Sequence, residues 1–124
     1  MVRIAAVTED HEKISSHFGH APFYRVFSIE DGEVVAEEER PKPYHGEEGH
    51  AHEHGGGHGH ADMFAPVADC QVLLCGGMGE PAYQKAEAAG LEVILTGGGI
   101  SEALQAYLNG EITSDMRRIH RHRH

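Results

Sequence analysis

Twelve histidines in 124 residues are the first chemical feature of this sequence. Six of them, His45, His50, His52, His54, His58 and His60, share one stretch with Glu47, Glu48 and Glu53. Neutral imidazole ligates Zn, Ni, Cu and Fe, and this spacing puts enough donors on one tether for four to converge on an ion. The carboxylates lower the local potential and favour a cation further. Spacing does not choose the metal, because the affinity order of divalent ions is general to nitrogen and oxygen donors. Fe, Ni, Zn and Co stay open as the metal ion. A structural zinc site would need fixed intervals and usually thiolates, which this stretch lacks. A solvated low-complexity loop is the alternative reading of the same residues.

Two further groups could bind. In His17-Phe18-Gly19-His20 the histidines are metal candidates or surface hydrogen-bonding groups, Phe18 packs inward, and Gly19 permits a turn conformation that a side chain forbids. Gly76-Gly77-Met78-Gly79 and Gly97-Gly98-Gly99 each follow an apolar run and precede a helical pattern. Backbone N–H groups at such turns can cradle an anion or an anionic cluster, and equally the glycines can serve only to tighten the turn. Cys75 and Met78 border the first turn as soft sulfur donors, although Cys75 would also suit a core. Neither turn matches the phosphate loop or the dinucleotide fingerprint. No motif positions a base and a nucleophile together, so a binding protein is expected and not an enzyme.

Composition bounds what can carry these groups. The length allows one domain with a single modest core. Apolar residues are 40% and charged residues 24%, enough to fold. Ten basic against 20 acidic residues give a formal charge of −10, which disfavours nucleic acid as a partner. No apolar stretch reaches the roughly 20 residues of a membrane span. The run Val2 to Val7 meets Glu9 and Asp10 too soon for a signal peptide, so a cytoplasmic protein is expected. Cys70 and Cys75 would lie roughly 16 Å apart along a strand, beyond disulfide reach, and read as reduced thiols.

The elements follow from pattern. Val2 to Thr8 is a short β-branched run long enough for a buried strand, followed by a polar loop to His20. Phe23 to Ile29 reads as a second strand, Asp31-Gly32 as a hairpin turn, and Glu33 to Glu37 as the returning third strand. From Arg40 to about His60 hydrophobic periodicity vanishes. Asp62 then offers an N-cap for a short helix presenting Met63, Phe64 and Val67, with Pro66 limiting its length. Val72 to Leu74 is a strand, and Pro81 to Ala89 a helix stopped by Gly90. Val93 to Leu95 is another strand, and Ile100 to Leu108 an amphipathic helix stopped by Asn109-Gly110. Two strand-helix units in about 40 residues imply parallel strands with right-handed crossovers. The expected organisation is a single α/β domain over 1–116, with a His-rich insertion at about 41–61 and a basic His/Arg tail over 117–124.

Ser16-His17-Phe18-Gly19-His20-Ala21, Phe23 and the strand to Ile29, Gly76-Gly77-Met78-Gly79 with Ala86, and Gly90-Leu91-Glu92-Val93 together resemble the dinitrogenase iron-molybdenum cofactor biosynthesis family. That family includes the NifX and NafY accessory proteins and the C-terminal domain of NifB. The resemblance covers most of residues 1 to 110. It implies a ribonuclease-H-like three-layer α/β fold without nuclease activity: a mixed sheet of about five strands with helices on its faces. In the nitrogenase members it also implies binding or carriage of an iron-sulfur cluster precursor of the iron-molybdenum cofactor, and it maps the family's His-Phe-Gly histidine onto His17. The His-rich insertion and the His/Arg tail depart from the family pattern.

The expected function is a non-enzymatic carrier of a metal or iron-sulfur cluster. His17, Phe18, Gly19, Cys75 and the two glycine turns contact the cargo, and the histidine stretch with His20 takes up divalent metal. Delivery would be to a cytoplasmic acceptor protein, and a homodimer is open. The alternatives are a metal- or pH-responsive interaction module and a general Ni, Zn or Co metallochaperone unrelated to nitrogenase.

Overall fold

The computed structural model describes residues 1–19, 21–42 and 64–120. His20, His45, His50, His52, His54, His58 and His60 lie outside them, as do Asp62 and Met63.

Strand β1 (Val2–Thr8) is the centre of the fold. Ile4, Ala5, Ala6 and Val7 are wholly buried because both faces of β1 are covered, which is why the run is apolar without alternation. Strand β2 (Phe23–Glu30) pairs antiparallel with β1, and β3 (Glu33–Pro41) antiparallel with β2. Asp31 and Gly32 both take positive φ, 54° and 77°, as a tight hairpin between right-twisted strands requires. β3 runs four residues beyond the expected Glu37, because the register holds Glu38, Glu39, Arg40 and Pro41 against Val26, Arg25, Tyr24 and Phe23.

The second half supplies β4 (Val72–Cys75), β5 (Met78–Gly79), α1 (Glu80–Ala88), β6 (Glu92–Leu95) and α2 (Ile100–Leu108). β4 joins β1 in parallel and β6 joins β4 in parallel, giving the order β3-β2-β1-β4-β6. This is the mixed five-stranded sheet of the ribonuclease-H-like arrangement. Pro81 opens α1, and Gly90 behind its C-terminus has φ 92°.

Two apolar layers separate the faces. Ala5, Val7, Leu73, Val93 and Leu95 pack with Ala86 and the α1 side, and Ile4, Ala6, Leu74 and Ile94 pack with Ile100, Ala103 and Leu104 of α2. The period-2 alternation of side chains divides each central strand between the two.

The short helix expected near Phe64 is a single 3-10 turn, Ala65–Val67, with Phe64 at its N-cap and no side-chain capping bond. The tail expected from Arg117 begins inside the domain. Met116–Arg118 forms a 3-10 turn capped by Asp115, and β7 (Ile119–His120) pairs in parallel with β5.

The β1–β2 loop lies across both glycine turns. Gly76 donates its N–H to the Ser15 carbonyl at 2.8 Å, Phe18 donates to Gly77 O at 3.2 Å, and Ile14 donates to Gly98 O at 2.9 Å. A Cβ on Gly76 would stand 2.8 Å from the Ser15 oxygen and 3.0 Å from the Ser16 Cα, so only glycine admits this approach. Gly76→Ala is therefore expected to destabilise the protein by about 1–3 kcal/mol, the usual cost of overpacking. Equilibrium urea unfolding measures it, and a change below about 0.5 kcal/mol, the surface-substitution range, contradicts the steric argument.

Candidate functional site

The carboxyl ends of β1, β4 and β6 share one edge of the sheet, where ligands bind in open α/β folds. β3 ends there too, since Thr8 pairs with Phe23 and Phe23 with Pro41. The His17 loop, both glycine turns and the start of the segment after Lys42 thus meet at one end of the molecule.

His17 is exposed, with 65% of its side chain open to solvent. Its N–H donates to Ser15 Oγ at 3.0 Å, Ser15 Oγ donates to Glu9 Oε2 at 2.7 Å, and His17 Nδ1 lies 3.8 Å from the same Glu9 oxygen. A carboxylate on the Nδ1 side is the arrangement that leaves Nε2 available as a donor atom. Phe18 turns inward and is buried, as the alternation of polar and apolar residues in the motif requires, and Gly19 is half-buried.

Phe18 is held on its ring by two residues. The Phe64 ring stacks on it with centroids 5.3 Å apart and 16° between planes, and Lys42 Nζ lies 4.3 Å from its centroid. Lys42 is the last described residue before 43–63 and Phe64 the first after it, so both ends of the His-rich insertion are fastened to the neighbour of His17. A second fastening lies behind: Arg40 Nη1 donates to Pro66 O and to Asp69 Oδ1, each at 2.7 Å, and Arg40 also pairs with Glu38. The Arg40 hydrogen bonds hold the Asp69 carboxyl below its ordinary range.

Cys75 is wholly buried, and its thiol donates to the Gly77 carbonyl at 3.1 Å. Burial pushes this thiol up to about 12, and burial does the same to Cys70. Both cysteines are free. Met78 is also buried, in the layer under α1. Of the turn residues, Gly76 has its N–H committed to Ser15, Gly77 and Gly98 present carbonyls to the loop, and Gly99 bridges to Lys13. Ile100, at the start of α2, donates to Glu12 O at 2.8 Å. Gly97 is close against the Arg118 guanidinium. Among the described residues no group of three or more His, Cys, Asp or Glu side chains could hold a metal ion. His17 and Glu9 are an exposed pair of possible donors among the described residues, and do not make a metal site by themselves.

Lys42 was not visible as a site residue in the sequence, where it follows Arg40-Pro41 at the edge of a polar stretch. It is 3% exposed, and burial pulls its ammonium down to about 8, partly offset by the neighbouring Cys75. The extended β3 and the position of Phe18 create that burial.

No helix is long and apolar enough to cross a membrane among the described residues.

Comparison with known proteins places this geometry in context. The family described as dinitrogenase iron-molybdenum cofactor matches residues 1–110. The crystal structure of PH0822 superposes with a TM-score of 0.71 at 25% identity, covering 92% of this chain and 95% of that one. A candidate dinitrogenase of Methanocaldococcus jannaschii gives 0.64 at 16% identity, covering 91% and 93%. A candidate NifB protein of Thermotoga gives 0.57 at 24% identity, covering 92% and 93%. The last two likenesses concern the fold. No curated protein matches the chain significantly.

The buried Lys42 ammonium sets a pH dependence. Its folded value near 8 lies below its ordinary 10.5, so between these values the unfolded chain holds more protons and stability rises with pH. Below about 8 the burial penalty is fully present. The stability difference between Lys42→Met and wild type is expected to move in favour of wild type by up to about 3 kcal/mol from pH 7 to pH 10.5. Urea melts of both proteins across pH 7 to 10.5 check this, and a constant gap contradicts it. The Cys75 thiol, whose titration feels the Lys42 charge, adds an opposing slope above pH 9, so the interval from pH 8 to 9 reports on Lys42 most directly.

Proposed function

The chain belongs to the dinitrogenase iron-molybdenum cofactor family, and from that premise we propose that it is a non-enzymatic carrier of an iron-sulfur type cluster or cofactor precursor, aided by a histidine segment that takes up divalent metal. The observation that supports this most is convergence. The exposed His17, the glycine turn beside Cys75, and both attachment points of the His-rich segment occupy the carboxyl end of one sheet.

In this reading His17 is the first donor to meet the cargo. It is open to solvent while its backbone is fixed by Ser15, so exchange with a partner needs no large rearrangement. His20, His45, His50, His52, His54, His58 and His60 supply further imidazoles from outside the described residues. The segment carrying the last six of these leaves after Lys42 and returns at Phe64, both of which touch the Phe18 ring. Phe18 and Gly19 hold His17 at the rim. Cys75 is the soft donor held in reserve: it reaches a cluster only after its thiol leaves the Gly77 carbonyl and gives up its proton. Gly76, Gly77, Met78 and Gly79, with Gly97, Gly98 and Gly99, form the floor on which the loop and cargo sit. A cytoplasmic acceptor protein would draw the cargo away by ligand exchange at His17, the donor most open to it.

Anaerobic reconstitution of the untagged protein with ferrous iron and sulfide tests the reading. Wild type is expected to develop sulfide-to-iron charge-transfer absorption, and His17→Ala to bind at least tenfold more weakly, the scale of losing a ligand. Deleting residues 43–63 is expected to lower the number of Co²⁺ ions bound while leaving the chromophore in place. A colourless protein whose divalent-ion binding disappears with that deletion and ignores His17→Ala overturns the cluster reading.

A further inference from the structure

Strand β3 is an edge of the sheet, and among the described residues no strand pairs with its outer side. Every residue from Glu33 to Glu39 is exposed, because neither apolar layer reaches this strand. The opposite edge, β6, has only four residues, and shortness is one way a sheet protects an edge. β3 has nine. Its register passes from Ser28 opposite Ala36 to Ile29 opposite Val34 and skips Val35, a bulge that guards the hairpin end. From Ala36 to Arg40 the ladder is regular, so this stretch offers backbone N–H and C=O groups at the spacing of a further strand.

The side chains of that stretch select what can pair there. Glu37, Glu38 and Glu39 are consecutive, so aligning the stretch with a second copy sets glutamate beside glutamate, and like charges directly opposite are destabilising. Each carboxylate has a partner within the protein: Arg25 for Glu37, Arg40 for Glu38, and His11 Nδ1 at 3.4 Å for Glu39. All three are still at least 42% exposed, and a carboxylate has lone pairs to share with an arriving ammonium or guanidinium. Alternation puts Glu37 and Glu39 on the α2 side of the sheet with their register partners Phe27 and Arg25. On that side a cavity of about 240 Å³ opens between the sheet and the start of α2. Phe27 and Ile100 give it apolar surface, and Glu12, Glu37 and Glu102 give it carboxylates. Arg25 lines it as well, but its guanidinium is committed to the His11 carbonyl and to Glu37. Glu12 and Glu102 have no ion pair among the described residues. Apolar surface rimmed by carboxylates suits the long stem and charged head of a lysine or arginine.

The geometry points to β3 as a docking edge: an extended basic segment of a partner protein adds as a further strand along Ala36 to Arg40, with one lysine or arginine side chain entering the cavity beside α2. Main-chain hydrogen bonds supply affinity that does not depend on the partner's sequence. The glutamates and the cavity supply the choice of sequence, as pockets for alternate side chains do wherever a peptide extends a sheet. No metal or cluster takes part, so the inference stands or falls apart from the carrier reading.

The test titrates isotopically labelled, metal-free protein by NMR with extended peptides of about eight residues, in which lysine or arginine alternates with threonine or valine. The controls are the same peptides with glutamate in place of the basic residues, and with the amides of the pairing edge N-methylated. Expected are saturable binding below about 1 mM, amide shifts concentrated in Ala36 to Arg40 and around Ile100, a tenfold or greater loss on N-methylation, and no binding of the acidic peptides. Glu12→Gln combined with Glu102→Gln, both at exposed positions, is expected to lower affinity at least threefold. N-methylated peptides that bind within twofold of the unmodified ones overturn strand addition, and an unchanged affinity in the double variant overturns the role of the cavity. If no basic peptide binds saturably, the docking edge fails. If the peptide-free protein sediments as a dimer that excludes the peptides, a second copy holds the edge. If removing residues 121–124 raises peptide affinity at least threefold, the chain's own C-terminus holds it. Either of these last results overturns a partner protein as the occupant.

Discussion

The approach of the Ser15 carbonyl to Gly76 is the contact on which the functional end of this fold depends. It sets a loop of polar residues directly on the end of a buried strand, with no side chain between. From that seat Ser15 fixes the His17 backbone, Phe18 reaches Gly77, and Ile14 reaches Gly98. The central strand then needs only to be apolar on both faces to hold the seat in place, and Ile4 to Val7 are. The geometry of this end is a by-product of close backbone packing, and Gly76 serves that packing.

Phe18 joins the core to the two ends of the histidine-rich stretch. Its ring belongs to the core layer under α1, yet it touches Lys42 and Phe64, where the His-rich insertion leaves and returns. Aromatic stacking and a cation over the ring each contribute on the order of 1 kcal/mol. Arg40 adds a bidentate contact to Asp69 and a bond to Pro66, which fastens the same two chain ends a second time.

Legibility in the sequence followed range. The Asp31-Gly32 hairpin and both helices were readable because their signals are local: positive φ at a turn, Pro at a helix start, Gly or Asn-Gly at its end. His17 and the glycine turns were readable from motif and resemblance, although Gly76 turned out to spend its N–H inside the fold. Lys42 was hidden because nothing local marks a lysine for burial. Its environment is built by Phe18, twenty-four positions earlier in the chain, and by a strand longer than its alternating pattern suggested. The β5–β7 ladder was hidden for a similar reason: two residues pair with two others some forty positions away, too short a match for any periodicity. Asp62 carries a good capping side chain, but the turn begins after Phe64, whose ring is held by Phe18.

The double fastening at Arg40 and Phe18 also bears on how such a chain can change over generations. Once the two ends of a segment are held by contacts that do not involve the segment itself, its length becomes nearly free: doubling a flexible loop costs only about 0.6 kcal/mol. Insertions, deletions and altered histidine counts between residues 43 and 63 would leave the sheet and the His17 turn untouched. The clasp separates the length of that stretch from the packing of the sheet.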